Sequence, residues 1–330
     1  IVIFKALNLK AAAGANVIIQ ALDPAYATIG IDSGGNGTKI TGFTLQGATN
    51  STGILLYYAK NCNITGNTIM NNENGIFAYY SNNSSISENY ISHNSVGIFT
   101  YRSNNNTITK TDVENNDDGI FLYNSNNNTI SENNAENNNN GICIDTSNKN
   151  IISRNKAINN ALKGILVDNS NNTNIIGNTA TDNIQVGIFL SYSNSTLISG
   201  NDVKNNGING TIYGGIIIGY SNNTIISGNN ATNNTENGIL LYKSEDNTIS
   251  GNNATKNTVG INLQNASNNT ISMNKAVENI RNGILLLYSS NSSILENTIS
   301  NNLDAGVYLD NSDSNEITEN IITNNHKGIY

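Results

Sequence analysis

GIFLYNSNNNTISENNAENNNN, residues 119–140, is one period of a repeat that runs through most of the chain. A Gly followed by Ile or Val recurs at Gly53, Gly75, Gly97, Gly119, Gly141, Gly164, Gly187, Gly215, Gly238, Gly260, Gly283, Gly306 and Gly328, spaced by 22 or 23 residues with one interval of 28. With each Gly as position 0, position 1 is Ile or Val, position 3 is mostly aliphatic, position 11 is always Ile, and position 16 is Ile, Val or Ala. Apolar residues two apart share one face of a strand, because successive side chains alternate. Three such clusters per period predict three short strands per turn. The period carries no helical signal, and the chain holds one Pro, Pro24.

This pattern predicts an all-β fold, a right-handed parallel β-helix solenoid with three short strands per rung and 22–23 residues per rung. A single rung cannot bury its own apolar face, and stacking does so. Parallel crossovers are right-handed. Leucine-rich repeats share the period but need an L-x-x-L-x-L signature and a helical return, which are missing here. Residues 1–52 are less regular, yet IVIF, LNLKA, NVIIQAL, TIGI and KITGFTL read as strands of the same coil, with GIDSGGNGTK (30–39) as a turn cluster. The expected organisation is therefore one solenoid, with irregular rungs over 1–52 and regular ones over 53–330. The long insertion, residues 204–214, reads as a corner loop. The open ends, IVIF and GIY, read as boundaries within a longer protein or as edges for end-to-end association.

Asn is the commonest residue, 72 of 330. Position 19 is Asn in every complete rung: Asn72, Asn94, Asn116, Asn138, Asn160, Asn183, Asn206, Asn234, Asn257, Asn279, Asn302 and Asn325. Position 14 is Asn except at Thr111, and position 6 is mostly Ser. Asn tolerates left-handed backbone and suits corners. Stacked amides can also bond from rung to rung. Positions 14 and 19 are therefore read as structural ladders and not as chemistry.

Composition excludes several classes. Lys and Arg number 16 against 24 Asp and Glu, so there is no basic footprint for nucleic acid. No apolar run reaches the roughly 18 residues of a spanning helix. His93 and His326, like Met70 and Met273, lie many rungs apart, so no soft-metal cluster is expected. Cys62 and Cys143 stand at different positions of rungs four apart, too far for a disulfide. Seventeen glycosylation sequons are close to the number that chance gives in so Asn-rich a chain.

The stretch GILLYKSEDNTISGNNATKN (238–257) resembles the parallel β-helix repeat family known as NosD-like, or the carbohydrate-binding and sugar-hydrolase (CASH) domain. The resemblance covers residues 40–330 and, less regularly, 1–39. It implies the fold and leaves the function open among surface proteins of methanogenic archaea, polysaccharide lyases and epimerases, and copper-maturation proteins. The Asn-rich, Pro-poor character is most similar to the archaeal surface proteins, which implies an extracellular, cell-surface location.

Positions 2 and 4 should point outward. Position 2 is apolar in all but one rung, where it is Asn262, and position 4 opens with four Tyr. The resulting stripe includes Phe77, Tyr79, Phe99, Tyr101, Phe121, Tyr123 and Phe189. Cys143 lies on it too. Large outward apolar patches mark interaction sites. The partner would be the protein itself, another surface protein, or a polysaccharide. Cover by another part of the chain, or β-propensity alone, would also explain the stripe. The main functional expectation is a non-enzymatic structural or adhesive module. The alternative is a polysaccharide-active enzyme using Asp145 and Asp168, at position 4 of successive rungs, a pair that would share a proton or bind Ca²⁺. No other cofactor is expected.

Overall fold

A computed structural model describes residues 1–207 and 214–330. The expected corner loop falls mainly on 208–213, outside the described residues. Each turn supplies one strand to each of three all-parallel sheets, giving about 13 turns. Among the described residues the only helical element is a 3₁₀ turn at Ser33–Gly35, within the expected turn cluster. Two compact units are distinguished, residues 1–160 and 161–330.

In residues 1–160 the first sheet contains strands such as Asn74–Tyr79, Val96–Tyr101 and Asp118–Tyr123, paired in register with Phe77 opposite Phe99 and Phe99 opposite Phe121. The second sheet contains Ser85–Ser87 and Thr107–Thr109, the third Tyr90–Ser92 and Asp112–Glu114. The irregular N-terminal segments join the same sheets: Val2–Ile3 pairs with Ile29–Ile31, Asn8–Lys10 with Lys39–Thr41, and Val17–Gln20 with Phe43–Gln46. Residues 161–330 repeat the arrangement, for example with Val186–Ser191, Gly214–Gly219 and Asn237–Tyr242 in the first sheet. The Ile and Val residues of positions 1, 11 and 16, such as Ile98, Ile108 and Val113, are fully buried.

The repeating Gly marks a close approach. A Cβ on Gly97 would stand 2.5 Å from the carbonyl oxygen of Gly119 and 2.4 Å from Val113 Cγ1. Position 0 therefore faces inward, as position 1 does. This breaks the alternation, so position −1 joins positions 2 and 4 on the outer face.

Most rungs among the described residues turn at four left-handed residues. In one rung these are Arg102, Asn105, Lys110 and Asn115, with φ of 49°, 56°, 50° and 55°. The residue after each corner points inward and is polar: Ser103, Asn106, Thr111 and Asn116 are all buried. The left-handed corners thus fall one residue before the ladder Asn, not on it. The ladders bond as expected from stacked amides. Asn72 and Asn94 each donate both the backbone N–H and Nδ2 to the Oδ1 of the Asn one rung on, Asn94 and Asn116. Asn183 and Asn234 do the same towards Asn206 and Asn257 in the second unit. Position 9, which the sequence reading passed over, forms a further ladder through Ser84, Asn106, Asn128 and Asn150. At the head of that ladder Cys62 is buried, and desolvation raises its thiol pKa.

Candidate functional site

The outer face of the first sheet carries the expected stripe, and in residues 1–160 it is a set of stacked aromatic columns. Phe77, Phe99 and Phe121 stack with ring centres 4.8 and 5.2 Å apart and nearly parallel planes. Tyr57, Tyr79, Tyr101 and Tyr123 form a second column at 5.4, 5.4 and 5.8 Å. A third column, on the left-handed corner, sets Tyr58 on Tyr80 at 5.0 Å and ends on Arg102, which donates to the Tyr80 hydroxyl and lies over the Tyr101 ring. Phe77, Phe99, Phe121, Tyr79, Tyr101, Tyr123 and Asp145 line a shallow open trough of about 480 Å³. Stacking occupies the ring faces, so the trough presents ring edges and hydroxyls. Crowding among these phenols has an electrostatic consequence: desolvation, then repulsion from Tyr58, Tyr80, Tyr57 and Tyr101, raises the Tyr79 pKa. Cys143, 7% exposed, extends the Phe column and is covered despite its outward position.

Phe189 belongs to the second unit. There it packs with Val186, Ile217 and Leu240 in an apolar cluster outside the solenoid core. Position −1 supplies Val186, which alternation from Ile188 would have placed inward. Above this cluster lies a groove of about 770 Å³. Phe189, Ile217, Leu240, Val259 and Leu285 make its apolar floor. One wall, at position −2, carries Glu236, Thr258 and Arg281, and the other carries Asp168, Tyr192, Tyr220 and Tyr242. Tyr192 and Tyr220 stack at 4.8 Å, whereas Tyr242 turns edge-on to Tyr220, with an interplanar angle of 84°. Lys243 Nζ lies over both the Tyr220 and Tyr242 rings, and hydrogen bonds to their hydroxyls raise its pKa.

The two carboxylates singled out from sequence fall in different units. Asp145 accepts from Thr146 Oγ1 at 2.8 Å at the end of the aromatic trough. Asp168 accepts from Ser191 Oγ and from Asn169 Nδ2 at 2.9 Å at the end of the groove. Among the described residues no three His, Cys, Asp or Glu side chains come close enough to share a metal ion. Sequence reasoning missed Glu236, Arg281 and Tyr220. The inward Gly at position 0 re-aims position −1, which brings Val186 and Val259 to the outer face; Glu236 and Arg281 stand at position −2 and Tyr220 at position 5, where residue type varies from rung to rung.

Sequence models of known families match this chain. The model described as the right-handed β-helix region matches residues 27–180 and 118–215, together more than half of the chain. The chain belongs to the right-handed β-helix family. The model described as periplasmic copper-binding protein (NosD) matches residues 209–330. No curated protein sequence matches the chain. Among solved structures, the periplasmic alginate epimerase AlgG is similar with a TM-score of 0.55 at 16% identity, over 92% of this chain and 77% of that one. DFA-IIIase from Arthrobacter chlorophenolicus gives 0.56 at 14%, over 71% of both chains. The Dettilon tailspike protein gives 0.51 at 14%, over 92% and 68%. At these identities the likeness is one of fold.

Among the described residues no helix is long and apolar enough to cross a membrane.

Proposed function

We propose that this β-helix is an extracellular or periplasmic polysaccharide-binding protein that takes a glycan segment into the groove between Asp168 and Leu287. The observation that carries this reading is the make-up of the groove. An apolar floor is walled by Tyr192, Tyr220 and Tyr242 on one side and by Glu236 and Arg281 on the other. A sugar is amphipathic. Its C–H face suits an apolar or aromatic surface, and its hydroxyls suit a few convergent polar groups. The volume of about 770 Å³ lies within the range of small-molecule sites. The fold shared with an alginate epimerase and DFA-IIIase agrees with a carbohydrate ligand.

The same groove supports a polysaccharide-active enzyme more readily than a passive rod. Asp168 and Glu236 are carboxylates for proton transfer, and Arg281 is a fixed positive charge for a developing anion. Calorimetric titration with neutral and acidic oligosaccharides, followed by NMR of the products, tests both levels. Binding that Tyr220→Ala and Arg281→Ala weaken is expected. Turnover lost in Glu236→Gln or Asp168→Asn, with binding kept, identifies an enzyme. Absence of binding to any oligosaccharide removes the carbohydrate reading.

A second, adhesive reading rests on the trough of residues 1–160, where Tyr57 and Tyr58 are 48% and 42% exposed beside the half-buried Phe column. Exposed aromatic edges suit a protein surface, including a second copy of this chain. Light scattering across a concentration series checks it. Phe99→Asp with Phe121→Asp should abolish any association, and a monomer at all concentrations rules out self-assembly.

A further inference from the structure

Along position 2 of the second unit the outward residues are Leu166, Phe189, Ile217, Leu240, Asn262, Leu285 and Tyr308. Asn262 is the polar exception, and it is 4% exposed. Its register partners on either side are Leu240 and Leu285, and all three line the groove. Its Nδ2 donates to Asn237 Oδ1 at 2.9 Å, while its own Oδ1 is sealed from solvent with no hydrogen-bond partner. Asn237, also buried, lines the same floor.

A buried acceptor without a partner lowers stability. The column itself shows that a branched aliphatic side chain fits this place, so the amide is not there for packing. Ladder residues such as Asn94 and Asn116, by contrast, satisfy each other from rung to rung. The carbonyl of Asn262 thus lacks a structural partner where, with Asn237 beside it, the apolar floor of the groove turns polar.

We propose that Asn262 is a ligand-orienting residue, whose Oδ1 accepts a hydrogen bond from a hydroxyl or amide N–H of a sugar bound in the groove. This rests on the carbohydrate reading above and adds a specificity to it. An acceptor needs a donor, so the group over Asn262 is a hydroxyl or an acetamido N–H and not a carboxylate, which only accepts. An acidic sugar places its carboxylate towards Arg281 instead. Leu240 and Leu285 flank the amide and take the apolar face of the same sugar ring. The terminal torsion of Asn is broad, so Oδ1 can turn to the ligand, exchanging the Nδ2 bond to Asn237 for the bond from the sugar.

The test is Asn262→Leu, which restores the residue type of the column, with Asn262→Ala as a second variant that cannot overpack the floor. Melting temperature is measured without ligand. Affinity is measured by calorimetry for tetrasaccharides of N-acetylglucosamine, mannose and galacturonate, each beside its O-methylated form. The expected result is a melting temperature that is raised or unchanged in Asn262→Leu, with a tenfold or greater loss of affinity for the preferred tetrasaccharide in both variants. Where the donor is a hydroxyl, methylation should cost wild type the same factor and cost the variants little. If wild type binds and the variants bind equally well, the assignment of Asn262 is overturned while the groove reading stands. A clear fall in the melting temperature of Asn262→Leu makes the amide structural and also overturns the assignment. If wild type binds none of the tetrasaccharides, the groove reading itself fails and the assignment with it.

Discussion

Asn116 Oδ1 accepts two hydrogen bonds from Asn94, one from its backbone N–H at 2.9 Å and one from its Nδ2 at 3.1 Å. Asn116 Nδ2 in turn donates to the carbonyl of Glu114 at 3.0 Å and to Asn138 Oδ1 at 3.1 Å. One amide therefore satisfies a corner backbone group, its own rung and the next. Buried corners would otherwise leave orphaned donors in the interior, which is costly.

Asn116→Ala should destabilise the first unit by about 1–3 kcal/mol, since the buried backbone N–H of Asn94 loses its acceptor and its Nδ2 keeps only the carbonyls of Ser92 and Ile69. Solenoid coupling runs between neighbouring rungs. Faster amide exchange confined to the rungs around Asn94 and Asn138 is the expected signature. Exchange that is unchanged there would mean that the ladder contributes little.

Gly97→Ala should cost about 1–3 kcal/mol, because the new methyl meets the Gly119 carbonyl and backbone must shift. Gly66→Asn is the contrasting case. Gly66 has φ of 64° with open space around it, and other rungs place Glu88, Lys110 and Glu132 at the same corner. It should stay within about 0.5 kcal/mol of wild type. Urea titrations of both variants compare them directly, and equal losses would contradict the close-approach explanation.

Phe99→Ala removes a ring stacked on both Phe77 and Phe121. Half-burial reduces the usual cost of such a truncation to about 1.5–3 kcal/mol. Phe99→Leu, which keeps most of the apolar area, should recover more than half of the loss in a melting experiment. Failure of that recovery would assign the effect to ring stacking itself.

The hydroxyl of Tyr90 donates to the Glu114 carboxylate, and this bond raises its pKa above the ordinary value of 10.0. With the folded-state pKa raised, the contribution to stability is intact below pH 10 and is lost as pH rises through the folded pKa, because the unfolded chain releases the proton first. Melting temperatures between pH 8 and pH 11 should fall more steeply for wild type than for Tyr90→Phe. Parallel curves would show that the bond adds no pH dependence.

Much of this molecule is legible as text. The three strands per turn follow from the apolar residues of positions 1, 3, 11 and 16, and positions 14 and 19 are recognisable as ladders, since an Asn in every rung has a reason only if rungs stack. The position 9 ladder was harder to see, because Ser84, Asn106, Thr173 and Cys62 share no residue type, only an inward direction. The outer face was half legible. Position 2 and position 4 declare the Phe and Tyr columns, but Val186 required knowing that Gly187 points inward, and Glu236 and Arg281 stand at position −2, where residue type varies from rung to rung.

The sequence by itself determined the solenoid, its period and its interior, because short-range periodicity dictates which side chains face the core, and stacking then follows for every rung alike. Only the tertiary structure decided how the outer face is shaped. The rings of residues 1–160 turn face to face into closed stacks, whereas around Tyr242 the stack breaks and a groove opens beside Glu236, Arg281 and Asn262. Those outcomes depend on side-chain orientation between rungs more than twenty residues apart, where rotamers and neighbouring bulk, not periodicity, select the packing.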